Sequence, residues 1–151
     1  VAKKKKRVGR SELIDFPELG FKSVAAKIDT GAFTSSVAFK SAKERKIKGE
    51  HLLEIEFDEV FYSKRRTQRK FHFLEFEKKV VKNSFGQSEE RYLVETNVKI
   101  FGEIYNTEFT LGKRTNMKFP VLLGRKFLES RFFVDVSFIN LSYRKQLNKK
   151  R

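Results

Sequence analysis

The sequence predicts a mostly-β domain, closed into a small barrel, with one short helix near 125–130. Three observations carry this. Apolar residues recur with period two in several runs, and turn-forming residues separate the runs. Seventeen Phe and a 39% hydrophobic share supply a packed core and exclude disorder throughout. A length of 151 residues suits one domain rather than two.

The elements follow in order. Val24, Ala26 and Ile28 alternate with Ala25 and Lys27 until Asp29-Thr30-Gly31 breaks the pattern. Leu53, Ile55 and Phe57 alternate with Glu54, Glu56 and Asp58, and Phe71 and Phe73 flank His72. The basic segment 64–70 between those two runs reads as the tip of a long hairpin. Tyr92, Val94, Thr96, Val98 and Ile100 form a second period-two set. Gly102 turns the chain, and Tyr105, Thr107, Phe109 and Leu111 alternate on the return. A compact apolar strand, Phe119–Leu123, ends at Gly124. The next residues, Arg125–Ser130, suit a short helix with Phe127 and Leu128 inward, and Phe132–Val136 returns to strand.

The net charge of +15 is concentrated. Residues 1–10 carry six Lys/Arg, 64–70 five and 144–151 five, with no acid in any of them. These sixteen charges exceed the whole net charge, so the remainder of the chain is close to neutral. The expected organisation is therefore a basic tail over 1–10, a single domain over 11–143 and a basic tail over 144–151. Such tails attract nucleic acid only non-specifically. A dedicated nucleic-acid module is the weaker reading, because Phe that alternates with polar residues is what a β core produces.

Cysteine is absent, which excludes disulfides, Cys-based zinc sites and a thiol nucleophile. His51 and His72, the two His residues, lie on opposite arms of the expected hairpin; without an ordered third ligand they are read as surface or structural, so no metal is expected. No apolar run approaches the ~18 residues of a membrane helix. The basic start leads into Val8-Gly9-Arg10 rather than the apolar stretch of a secretory signal, so a cytoplasmic protein without membrane contact is expected. The chain does not begin with Met, which leaves open a segment upstream of Val1.

The chemistry points to Asp29-Thr30-Gly31. An Asp leaving a buried strand can project its carboxylate into a cleft, Gly31 permits close backbone approach, and the Thr30 hydroxyl can lock the loop. Two such carboxylates side by side share a proton, so one activates water while the other polarises a carbonyl. As an isolated tripeptide it could equally be a turn at a strand end. The context strengthens it: a strand feeds directly into it, and an apolar strand ending in Leu-Leu-Gly follows about ninety residues later.

Lys27-Ile28-Asp29-Thr30-Gly31-Ala32 with Thr34-Ser35, together with Val121-Leu122-Leu123-Gly124-Arg125, resembles the retropepsin-like aspartic proteases. The chain is most similar to the bacterial family labelled ATP-dependent zinc proteases, also called RimK-associated or retropepsin-like. The similarity runs from Gly9-Arg10 to about Tyr143 through Leu19-Gly20, Asn83-Ser84, Gly86, Glu90-Arg91-Tyr92, Thr96, Phe109-Thr110-Leu111, Arg114, Met117 and Val134-Asp135. Segment 40–81 matches poorly. The family commonly has an Arg where this chain has Phe33.

The resemblance implies an acid-protease barrel with Asp29 as the catalytic carboxylate, supported by Thr30 and Gly31. Ala32, Phe33 and Thr34 are the neighbouring substrate-binding candidates. The zinc label conflicts with the residues, and with no phosphate-binding loop any ATP dependence would come from a partner, so no cofactor is expected. One Asp-Thr-Gly per chain implies a twofold homodimer contributing Asp29 twice. The family's association with an ATP-grasp glutamate ligase implies acidic, glutamylated tails as substrate and the ligase as a partner. Lys64, Arg65 and Arg66 would draw such tails in if the hairpin overhangs the cleft; otherwise they form a solvated tip. The alternative is a protease-fold binding protein, catalytically weak or inactive, that regulates the ligase.

Overall fold

The computed structural model describes residues 4–62, 68–82, 85–113 and 118–149. Eleven strands form: β1 (Lys6–Val8), β2 (Ser11–Phe16), β3 (Phe21–Ile28), β4 (Ser35–Ile47), β5 (Glu50–Phe57), β6 (Lys70–Phe73), β7 (Glu77–Lys82), β8 (Ser88–Ile100), β9 (Glu103–Gly112), β10 (Val121–Leu123) and β11 (Phe132–Val134). Two helices complete the chain, α1 (Arg125–Leu128) and α2 (Leu141–Lys149). Among the described residues, no helix is long and apolar enough to cross a membrane.

Closure comes from six strands. They follow the order β10-β3-β2-β8-β9-β4, and β4 pairs back to β10, so the hydrogen bonds form a ring. The ring encloses alternate side chains of each strand, including Ile14, Phe16, Val24, Ala26, Val37, Val94, Val98, Phe109 and Leu111. Phe21 meets Phe57, Phe61 and Phe71 at centroid distances of 5.1–5.5 Å, largely edge to face. The expected alternation is therefore the core pattern. At the β8–β9 hairpin, Phe101 (φ 53°) and Gly102 (φ 74°) both adopt the left-handed conformation that a two-residue turn between twisted strands requires.

The arms of the expected hairpin pair as β5 and β6, with Leu53 opposite Phe73 and Ile55 opposite Phe71. The tip residues Lys64, Arg65 and Arg66 lie outside the described residues, as do Asn83-Ser84, Arg114 and Met117.

Part of each charged end takes up secondary structure. Lys6–Val8 pairs in parallel with Phe132–Val134, because Val8 is an apolar residue that the pairing buries completely. Helix α2 takes in much of the C-terminal run, so among the described residues there are two α-helices rather than the one expected. A buried carboxylate docks it. Glu12 accepts from the Leu141 N–H (3.2 Å), the Ser142 N–H (2.9 Å) and the Gly9 N–H (2.8 Å), which places an anion at the helix N-terminus. The Ser142 hydroxyl in turn accepts from the Phe101 N–H at 2.7 Å. Glu12 and the two helix donors are about 130 positions apart in sequence, so no local pattern announces this helix.

Candidate active site

Asp29 leaves the end of β3, where that strand runs parallel to β10. Its N–H donates to Leu123 O (2.8 Å), which ties the residue to the apolar strand expected to support it. The carboxylate is half-buried. Oδ1 accepts from the Gly31 N–H at 3.0 Å, and Oδ2 has no hydrogen-bond partner among the described residues. Thr30 and Gly31 are exposed. A Cβ on Gly31 would lie 3.2 Å from Asp29 Oδ1, so glycine keeps the carboxylate unobstructed.

The loop after β3 interlocks with the turn after β10. Arg125 N–H donates to Ala32 O (2.8 Å) and Lys126 N–H to Phe33 O (2.9 Å). Gly124 N–H donates to Ser35 Oγ (3.0 Å), and the Arg125 guanidinium donates to Thr30 O (3.0 Å). The Thr30 lock thus runs through its carbonyl rather than the expected hydroxyl. A Cβ at Gly124 would come within 2.7 Å of Phe33 O and 2.8 Å of Ala32 O. Ser35, Gly124 and Arg125 stand within the two motifs, yet these bonds are not among the expected roles; the Leu-Leu-Gly-Arg run is the only sequence signal for them.

Phe33 is 49% exposed, and the Arg125 guanidinium lies 5.8 Å from its ring centroid. A cation therefore stands on this surface even though position 33 is aromatic. Thr34 Oγ1 accepts from Lys79 Nζ at 3.2 Å, which joins β7 to the same loop. Asp135 is a turn residue: it accepts from the Ser137 N–H and hydroxyl, and these bonds hold its carboxyl below the usual range.

Residues 51 and 72 are held apart on separate carboxylates. His51 Nε2 lies 3.1 Å from Glu44 Oε1, and His72 Nε2 lies 3.0 Å from Glu54 Oε2. Among the described residues, no group of three His, Cys, Asp or Glu is placed to hold a metal ion. This donor set does not fit a zinc site.

Hydrogen bonding from His72 chiefly, with the nearby charges of Arg45 and Lys70, holds the Glu54 carboxyl below its ordinary value of 4.5. A depressed folded value stabilises the fold above that ordinary value and loses the contribution as pH falls through the folded one. Glu54→Gln should therefore flatten the acid limb of a stability–pH curve below about pH 4.5. Equal acid limbs in wild type and variant would show that the carboxylate contributes nothing there.

A large groove lies elsewhere, between β6, β7 and the middle of β8, and neither Asp29 nor Phe33 lines it. Asp29 instead sits on an open face, with its loop braced by the turn after β10.

The sequence model of a family described as RimB-like, retropepsin-like aspartic endopeptidase RimB, matches residues 7–145. The chain belongs to this family. The RimB-like chain is also 34% identical over 134 residues to a probable alpha-L-glutamate ligase of Desulfotalea psychrophila, and 33% identical over 135 residues to one of Shewanella pealeana. These alignments cover 87% and 86% of the RimB-like chain but 28% of each ligase, so it spans little more than a quarter of those relatives. A crystal structure of a Legionella pneumophila protein of unknown function superposes with a TM-score of 0.64 at 21% identity, covering 92% of the RimB-like chain and 99% of the other. That likeness is one of fold.

Proposed function

We propose that this protein is a cytoplasmic retropepsin-like peptidase that works as a twofold homodimer, each subunit contributing Asp29. The observation that carries the reading is the half-buried Asp29, braced by the β10 turn on an open face with Oδ2 uncommitted. An open face suits a site that a second copy completes. In the dimer one Asp29 is ionised and the other protonated, since adjacent carboxylates cannot both carry charge. The ionised carboxylate takes a proton from water as its oxygen attacks the amide carbon. The protonated partner gives its proton to the carbonyl oxygen, forming a gem-diol. Transfer of a proton to the nitrogen then breaks the C–N bond and releases an amine and an acid. The Arg125 guanidinium beside Phe33 would meet a substrate carboxylate at the edge of this site.

The test is hydrolysis of a peptide pool, including glutamate-rich chains, across pH with chelator present. Cleavage that survives chelation supports the reading; activity lost only to chelator rejects the mechanism.

Relatives named for glutamate ligation support an amide bond of a glutamylated tail as the target. Reversing Lys64, Arg65 and Arg66 to Glu should raise KM for glutamate-rich peptides, and an unchanged KM would reject their role in binding. A second reading rests on the same relatives, whose ligase name belongs to a polypeptide more than three times the matched segment. In it the fold is a docking partner of a glutamate ligase, and Asp29→Asn leaves partner affinity unchanged.

A further inference from the structure

The cavity away from Asp29 is a groove of about 920 Å³. Leu19, Phe71, Phe73, Phe76 and Val94 give it an apolar floor. Glu18, Glu75, Glu77, Glu95 and Glu108 line it too, and among the described residues no Lys or Arg does, on a chain of net charge +15. Glu95 and Glu108 are directly opposed across β8 and β9, an arrangement of like charges that costs stability. Lys126 Nζ offsets Glu108 at 2.8 Å, whereas Glu75, Glu77 and Glu95 make no ion pair among the described residues.

Two further features concern the backbone and a buried hydroxyl. Pairing of β8 with β7 ends at Leu93 opposite Glu77, and its pairing with β2 is at Lys99 opposite Asp15. Between them, among the described residues, that edge of β8 carries no strand, and the Asn97 N–H is taken by Glu18 Oε1 at 3.1 Å. Thr96, on this stretch, lines the groove at 6% exposure, and its hydroxyl has no hydrogen-bond partner among the described residues.

We propose that this groove binds an extended peptide segment bearing Lys or Arg side chains, which adds to the open edge of β8. An added strand satisfies the exposed edge. Its side chains alternate, so one set reaches the apolar floor while the other meets the carboxylates. The whole chain repels a cationic peptide at long range, so binding has to come from the groove itself. The site is separate from Asp29 and does not depend on its chemistry.

The probe is a fluorescent hexapeptide of alternating Lys and Val, titrated with the full chain and read by anisotropy. Its alternating Glu and Val counterpart and a backbone N-methylated version are controls. The Lys peptide should bind in preference to both controls. The double variant Glu77→Gln/Glu95→Gln, which alters only exposed side chains, should weaken it at least about tenfold. Asp29→Asn should bind it as wild type does, which separates this site from the peptidase reading. Absence of binding, preference for the Glu peptide, or undiminished affinity in the double variant would overturn the proposal. Equal affinity of the N-methylated peptide would overturn addition to the β8 edge.

Discussion

Asp29→Asn is expected to lower peptide hydrolysis by about a thousandfold or more, with little change in thermal stability. The side chain is half-buried, and Asn keeps the oxygen that accepts the Gly31 N–H, so the loop retains its geometry. What it loses is the group that takes a proton from water and shares one with its counterpart. A mixing experiment separates a dimeric from a monomeric site. Adding an equal amount of the variant to a fixed amount of wild type should cut activity to about half, because mixed dimers hold one carboxylate. A monomeric enzyme would be undisturbed by the addition. Full activity in the variant itself would leave the docking reading as the better one.

The second large effect belongs to Gly124→Ala. The residue has φ −93°, which alanine adopts without strain, so any penalty arises from contact alone. The added methyl would meet Phe33 O at 2.7 Å, Ala32 O at 2.8 Å and the Phe33 carbonyl carbon at 3.0 Å. These are backbone atoms and cannot swing aside as a side chain does. Separating the two loops would strain the bonds from Arg125 to Ala32 and from Lys126 to Phe33. The expected cost is about 2–3 kcal/mol of stability, read by denaturant unfolding. A fall in kcat beyond the unfolded fraction should accompany it, because Asp29 moves with its loop. If unfolding and kcat both match wild type, the interlock is not what positions Asp29.

The strands that were legible in advance are those with one buried face. In β8 and β9, half-burial imposes alternation on the sequence, and Gly102 marks the turn between them. The first four residues of β4 are all buried and all of the rest are intermediate or exposed, so a strand of thirteen residues leaves no period-two trace. Strand β7, Glu-Lys-Lys-Val-Val-Lys, has no buried residue; pairing with β8 makes it a strand. Asp29 was legible as a candidate because an aspartic site needs a carboxylate, a glycine and a preceding strand in immediate succession. The roles of Ser35 and Arg125 were not, since each acts on a loop about ninety residues away.

The sequence by itself determined the β class, the aromatic core, the position of the candidate carboxylate and the family resemblance. Each rests on adjacent residues or on a regular period, and short-range order is written directly in the chain. Tertiary structure alone decided the ring closure through β4 and β10, the docking of α2 on Glu12, and the acidic groove beside an open strand edge. These arise when segments far apart in sequence meet, and there burial, charge and unpaired backbone depend on neighbours that no local pattern names.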